Sequence, residues 1–173
     1  MNIAHLARHQ GRFGSFTVVV ANDVVIAAGW EEPDRLFDLV HPSRRPATVR
    51  ERAELGVVTD ALRAYDRGDV EATDDIDVEQ VAGPFHEEVR RQLRAIPPGT
   101  TCSYAQLAAA AGRPSAARAA GTACARNAIA LFVPCHRAVG SDGNLRGFAY
   151  GLDQKRALLA HEAHARASAT VGS

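Results

Sequence analysis

Cys135 is joined directly to His136 in the run Pro134-Cys135-His136-Arg137, and the apolar stretch Ile129 to Val133 leads into it. A thiolate is a strong nucleophile and an imidazole exchanges its proton near neutrality, so this pair has the residue types of nucleophilic catalysis. Adjacent side chains in an extended segment point to opposite sides, so the histidine needs a bent backbone or a bridging water to reach the thiol. Such a base generally needs a third group to orient it, and Glu162 is the suggestive carboxylate. Across Asp153 to His164, the residues Lys155, Leu158, Leu159 and Glu162 recur at helical spacing, which puts an acid on an apolar stripe. That placement is expensive unless the acid is paired, with His136 the expected partner; the alternative is a helix-end carboxylate bent out to solvent. Asn127 either forms a turn or hydrogen-bonds across the site.

The other two cysteines, Cys102 and Cys124, form no Cys-x-x-Cys pair with each other or with Cys135, and both read as small buried apolar residues. The histidines His5, His9, His41 and His86 are scattered, so neither a metal site nor a cofactor is expected. With 173 residues and 46% hydrophobic content, the chain suits one sizeable core or a small domain pair. No apolar run is long enough to span a bilayer and the N-terminus lacks a signal-peptide layout, so a cytoplasmic location with no membrane partner is expected.

The elements that would position these residues are legible in part. Phe16 to Val20 and Val24 to Ala28 are β-branched runs around Ala21-Asn22-Asp23, which predicts a hairpin in a small opening sheet. Leu55, Val58, Leu62 and Tyr65 predict a helix across Glu51 to Asp66, stopped at Gly68. The acidic stretch Glu71 to Glu79 reads as an edge strand or a linker. A boundary near Gly83-Pro84 separates residues 1–82 from 83–173. Beyond it, Phe85, Val89, Leu93 and Ile96 share a helical face, with Pro84 in the first turn and Pro97-Pro98-Gly99 as the stop. Ser103-x-x-Gln106 is a capping box that opens a helix ending at Gly112-Arg113-Pro114, and a second helix starts near Ser115. Two helices around a tight turn make a helix-turn-helix candidate. The small residues Ala117, Ala119 and Gly121 let the second helix lie close to another surface, and Arg118 among them is better explained by reaching a nucleic acid than by burial. Gly147 to Gly151 reads as a loop that walls a pocket with aromatic surface, and the tail from Ala165 onward is expected to be disordered. The fold class is therefore α+β, a small N-terminal sheet domain followed by a mainly helical C-terminal domain.

Net charge is zero, yet residues 84–173 carry 11 Lys and Arg against 5 Asp and Glu, while the preceding half carries 9 against 15. This asymmetry points to an acidic partner for the C-terminal half, with a phosphate backbone the obvious candidate; two solvated faces of opposite sign are the bland alternative.

From Phe85 to Glu162 these motifs, in this order, resemble the O6-alkylguanine-DNA alkyltransferases. The resemblance implies direct repair: binding of double-stranded DNA through the minor groove, flipping of the alkylated nucleotide, and irreversible transfer of the alkyl group from guanine O6, less readily thymine O4, to the cysteine. It implies a ribonuclease H-like N-terminal sheet domain and a monomer acting without cofactor. Cys135 is then the acceptor, His136 the water-mediated base, Glu162 its orienting group and Asn127 the residue holding the local backbone. Arg118 fills the place of the extruded base and Tyr104 crowds its phosphate and hydrogen-bonds the lesion, while Ala117, Ala119 and Gly121 admit the helix to the minor groove and Arg137 belongs to the DNA-binding set. Val133, Pro134, Phe148, Ala149 and Tyr150 form the pocket.

The chain departs from the family pattern at Ala128 and Ala130, where prolines are usual, and at Phe148-Ala149-Tyr150, where a tyrosine precedes two small residues. The bulk of Tyr150 predicts a pocket suited to methyl rather than benzyl adducts. A non-catalytic lesion sensor shares the binding apparatus but not the cysteine. A Cys-His thiol hydrolase explains Cys135, His136 and Glu162 but not Arg118, and a plain DNA-binding regulator fails in the converse way.

Overall fold

A computed structural model describes residues 3–172, which form an α+β protein. Its contacts divide the chain into two compact units, one formed by residues up to Ala82 with Ala128–Phe132, the other by Gly83–Asn127 and the chain from Val133 onward.

The first unit is built on a sheet of four strands, β1 (Ile3–Gly11), β2 (Gly14–Ala21), β3 (Val24–Gly29) and β4 (Thr48–Glu51), in the order β3-β2-β1-β4. β1, β2 and β3 pair antiparallel in sequence, whereas β4 joins β1 in parallel. The β2–β3 hairpin turns on Asn22 and Asp23, both at positive φ (51° and 64°), the twist that a two-residue hairpin turn requires. Two helices cover this sheet, α1 (Pro33–Leu39) on β3 and α2 (Val57–Asp66) on β1. α2 is shorter than the predicted helix: Glu51 is drawn into β4, and the chain turns into the helix at Gly56, whose φ of +54° disfavours any residue with a Cβ. Val58, Leu62 and Tyr65 point inward as their spacing required. The acidic stretch touches the sheet through one parallel bridge, Val78 to Val25, and is otherwise turn.

Residues 128–132 also belong to this unit. They run parallel to β3 at a single bridge, Ala28 to Ile129, with hydrogen bonds from Ala28 N to Ala128 O (2.8 Å) and from Ala130 N to Ala28 O (2.9 Å). Ala128 N donates to Gln80 Oε1 at 2.9 Å. A proline at either position would lose an N–H that is in use here, so these two alanines exchange ring stiffness for hydrogen bonds.

The second unit comprises α3 (Pro84–Arg94), β5 (Cys102–Ser103), α4 (Tyr104–Ala110), α5 (Ala117–Ala125), a single 3-10 turn at Cys135–Arg137, β6 (Ala138–Val139) and α6 (Leu152–Val171). The capping box of α4 is complete: Gln106 N donates to Ser103 Oγ at 3.1 Å and Ser103 N donates to Gln106 Oε1 at 2.9 Å. β5 and β6 pair in parallel, Cys102 with Ala138 and Ser103 with Val139, which pins the start of α4 beside the chain leaving Cys135–Arg137. α3 packs on α4, α5 and the 3-10 turn, and α6 packs on that turn too. The expectation of a disordered tail was wrong. α6 continues to Val171 because Ala165, Ala167 and Ala169 favour helix, and Ser168 Oγ and Thr170 Oγ1 return hydrogen bonds (3.0 Å each) to the carbonyls of His164 and Arg166. Among the described residues no helix is long and apolar enough to cross a membrane.

Candidate active site

The 3-10 turn buries all three of Cys135, His136 and Arg137, at 7%, 1% and 1% exposure. Its tight winding sends successive side chains in different directions. Cys135 looks into a cavity, and its neighbours look into the protein toward α6.

On the inner side, Glu162 is fully buried and joins both neighbours. His136 Nε2 lies 2.8 Å from Glu162 Oε1; Arg137 Nη2 donates to the same oxygen (2.9 Å) and Arg137 Nε to Oε2 (3.0 Å). Arg137 Nη1 donates to Ile96 O at 2.6 Å, and Gly99 N donates to Glu162 Oε2 at 3.3 Å. Gly99 suits this place on two counts: its φ is +75°, and a Cβ would meet Glu162 O at 3.1 Å. The predicted pairing of Glu162 with His136 is therefore present in the geometry. Arg137 is corrected: a guanidinium 1% exposed and committed to Glu162 and Ile96 cannot contact a phosphate backbone.

On the cavity side, Asn127 Nδ2 donates to Cys135 Sγ at 3.2 Å and to Val133 O at 2.8 Å. Of the two readings open for Asn127, hydrogen bonding across the site is the one the structure adopts. The cavity measures about 1010 Å³ and is lined by Tyr104, Ala117, Arg118, Gly121, Asn127 and Cys135, together with the loop Gly140 to Tyr150. A Cβ on Gly121 would meet only Tyr104 Cδ1, at 3.9 Å, so that side of α5 is open. Phe148, Ala149 and Tyr150 lie in the wall as expected, with Phe148 and Tyr150 edge to face at 5.4 Å. Val133 and Pro134 are buried beneath the site and do not line it, and Ala119 sits outside the lining too. Within that wall the Tyr150 ring meets Phe148 edge to face, so its bulk is part of the cavity lining.

Three residues of this region escaped the sequence reading. Lys155 is fully buried, and its Nζ donates to Ala138 O (2.6 Å), Arg146 O (3.2 Å) and Tyr104 Oη (3.4 Å). The signal was available, since Lys155 lies on the same apolar stripe as Glu162 and carries the same burial cost. Cys124 lines the cavity although it read as packing. Arg90, on α3, is 8% exposed and donates from Nη2 to Arg126 O at 3.0 Å.

The protonation states follow from these contacts. Burial pushes the Cys135 thiol up, against the opposing pull of the Asn127 N–H, Lys155 and Arg90, so the sulfur is protonated at neutral pH. Burial holds His136 below its ordinary value in spite of Glu162, which keeps the imidazole neutral. Burial acts to raise the Glu162 carboxyl, but His136 and Arg137 outweigh it and hold it below the usual carboxylate range. A neutral His136 facing a carboxylate must donate from Nε2, which leaves Nδ1 as a proton acceptor. Burial pushes the Tyr104 phenol up to about 12, so it remains a donor throughout the physiological range. The arrangement can thus take a proton from a thiol, hold the resulting sulfur anion by an amide N–H, and offer a phenol proton to a leaving oxygen.

Residues 84–164 match the family model for the DNA-binding domain of 6-O-methylguanine DNA methyltransferase. A methylated-DNA–protein-cysteine methyltransferase of Salmonella typhimurium is 44% identical over 109 residues, 63% of this chain and 64% of that protein's length. The protein of the same name from Mycolicibacterium paratuberculosis is 44% identical over 139 residues, 79% of this chain and 83% of that protein. The crystal structure of Mycobacterium tuberculosis OGT in complex with DNA superposes with a TM-score of 0.79 at 32% identity, over 93% of this chain and 94% of that one. Sequence identity at this level over most of both chains places this protein in the methylated-DNA–protein-cysteine methyltransferase family.

Proposed function

We propose that this protein repairs alkylated DNA by direct reversal, moving the alkyl group from guanine O6 (less readily thymine O4) to Cys135 in a single irreversible turnover. The observation that carries this reading is the thiol of Cys135 at the wall of a cavity wide enough for a base, with the Asn127 amide on its sulfur. His136 accepts the thiol proton at Nδ1 through a water, and Glu162, itself held by Arg137, keeps the imidazole in the required tautomer. The thiolate attacks the alkyl carbon; the S–C bond forms as the C–O6 bond breaks. The electron pair goes to guanine O6, the neutral phenol of Tyr104 donates a hydrogen bond to the departing base, and the proton lifted from Cys135 by His136 returns to that base through water. A thioether has no hydrolysable bond, so the protein is consumed.

In this reading α4 and α5 act as a helix-turn-helix that meets double-stranded DNA at the minor groove, with the small side chains of Ala117, Ala119 and Gly121 toward the groove. Arg118, exposed on α5 at the cavity's rim, takes the place of the extruded nucleotide. Residues 83–173 form the alkyltransferase domain and residues 1–82 a ribonuclease H-like sheet domain, and the protein acts in the cytoplasm as a monomer. Incubation with a duplex containing O6-methylguanine, followed by intact-mass measurement, is the test. One methyl increment that vanishes in Cys135→Ser is expected. Binding to the duplex without a mass change would overturn transfer in favour of a lesion sensor.

A further inference from the structure

Arg90 has no role in the chemistry above, yet its position is unusual. It lies on the inner face of α3 beside Val89 and Leu93, 8% exposed, and makes no ion pair among the described residues. Its Nη2 donates to Arg126 O, while Nε and Nη1 are buried without a hydrogen-bond partner. Glu87, on the same helix, offers it a favourable charge without an ion pair, and a buried cation with no bonded carboxylate is costly, so an apolar side chain would fill the same space on α3 more cheaply. The contact it does make is informative. The Arg126 carbonyl is bonded directly to the nitrogen of Asn127, where α5 ends, and Asn127 N is itself held by Cys124 O at 3.1 Å. The same residue's Nδ2 rests on Cys135 Sγ at 3.2 Å. The peptide plane that Arg90 grips is therefore the one that aims the amide at the acceptor sulfur.

We propose that Arg90 is a positioning residue for alkyl transfer, which clamps the Arg126–Asn127 peptide so that the Asn127 amide stays on Cys135 and which adds a buried positive charge on the α3 side of that sulfur. This rests on the transfer reading above. Among the described residues, each packed helix brings a charged or titratable group to Cys135, beside its neighbour His136: Arg90 of α3, Tyr104 of α4, Cys124 of α5 and Lys155 of α6. The two cations favour the thiolate. Cys124 opposes it, and its own thiol is pushed up by burial and by Cys135. Lys155 is bound to two backbone carbonyls and Tyr104, so Arg90 is the cation that also reaches the amide.

The test compares wild type, R90M and R90K in the full chain. Iodoacetamide labelling of the Cys135 peptide, followed by mass spectrometry across pH, reads the thiol without DNA; single-turnover transfer from an O6-methylguanine duplex and the Kd for that duplex read the reaction and binding. R90M is expected to move the labelling midpoint up by about one pH unit and to slow transfer about tenfold at pH 7.5, with Kd within about twofold of wild type. R90K keeps the charge without the planar fork, so its midpoint should stay near wild type while transfer remains several-fold slow. If R90M does not fold, R90Q takes its place with the same expectations. An unchanged midpoint and rate in the neutral variant, or a loss accounted for by Kd alone, would overturn the proposal. Because labelling needs no DNA, a wild-type protein that fails to transfer would sink the transfer reading, while the midpoint shift still judges Arg90.

Discussion

The two units bury different kinds of side chain. Among the described residues of the N-terminal unit the buried polar ones are three threonines, Thr17, Thr59 and Thr73, within a core of valines, alanines and leucines. The C-terminal unit buries Arg90, Asn127, His136, Arg137, Lys155, His161 and Glu162. The first pattern is what a small sheet needs to stay folded. The second costs desolvation at each charged group and is stable because most partners are supplied: Arg137 and Gly99 for Glu162, carbonyls for Lys155. Buried polarity concentrated around one thiol marks where this fold exchanges stability for chemistry.

The contrast can be broken from either side. Glu162→Ala leaves Arg137 as an uncompensated buried cation and should cost about 3–5 kcal/mol of unfolding free energy, read by urea titration, and should abolish most transfer because His136 loses its orienting acceptor. A cost below about 1 kcal/mol would mean that this network is worth no more than a surface pair. Leu36→Ala, in the apolar core of the N-terminal unit, should cost about 2–5 kcal/mol by the same measurement. Its single-turnover rate should stay within about twofold of wild type under native conditions; the comparison fails if stability and rate fall together.

Acid provides the finest separation. Both His136 and Glu162 have folded-state values below their ordinary ones, so the unfolded chain binds protons that the folded one refuses, and stability falls as pH falls. The loss attributable to His136 should begin below about 6.5, and that of Glu162 should join it below about 4.5. Thermal melts of wild type and Glu162→Gln from pH 8 to pH 4 should run parallel down to about 5 and converge below it, where only the wild type has a carboxylate left to lose. Parallel curves over the entire range would show that Glu162 is not held ionised.

Much of this was legible from residues within a few positions of one another. The capping box at Ser103 and Gln106, the Asn22-Asp23 hairpin and the α3 face of Val89 and Leu93 all rest on local hydrogen bonds or a single helical stripe, and all formed where their spacing placed them. The Cys135-His136 pair and the cost of Glu162 on an apolar stripe were enough to connect residues 26 positions apart. The same reasoning applied to Lys155 would have flagged a buried lysine. Local composition misled at the tail, where the alanines among the small residues carry the helix on to Val171, and the resemblance misled at Arg137, whose guanidinium turns inward to Glu162.

Sequence by itself determined the α+β class, the Cys135–His136 neighbours and an acid on an apolar stripe that needs a partner, because nucleophilicity and the cost of burying charge belong to residue types. Only the tertiary structure decided which long cations face water and which face inward. Arg118 and Arg137 are the same side chain, and so is Arg90; one rims the cavity, one locks Glu162 and one grips the peptide ahead of Asn127. The orientation of a flexible guanidinium is set by whatever acceptors the packed helices bring within reach, and those acceptors lie tens of residues away in the chain.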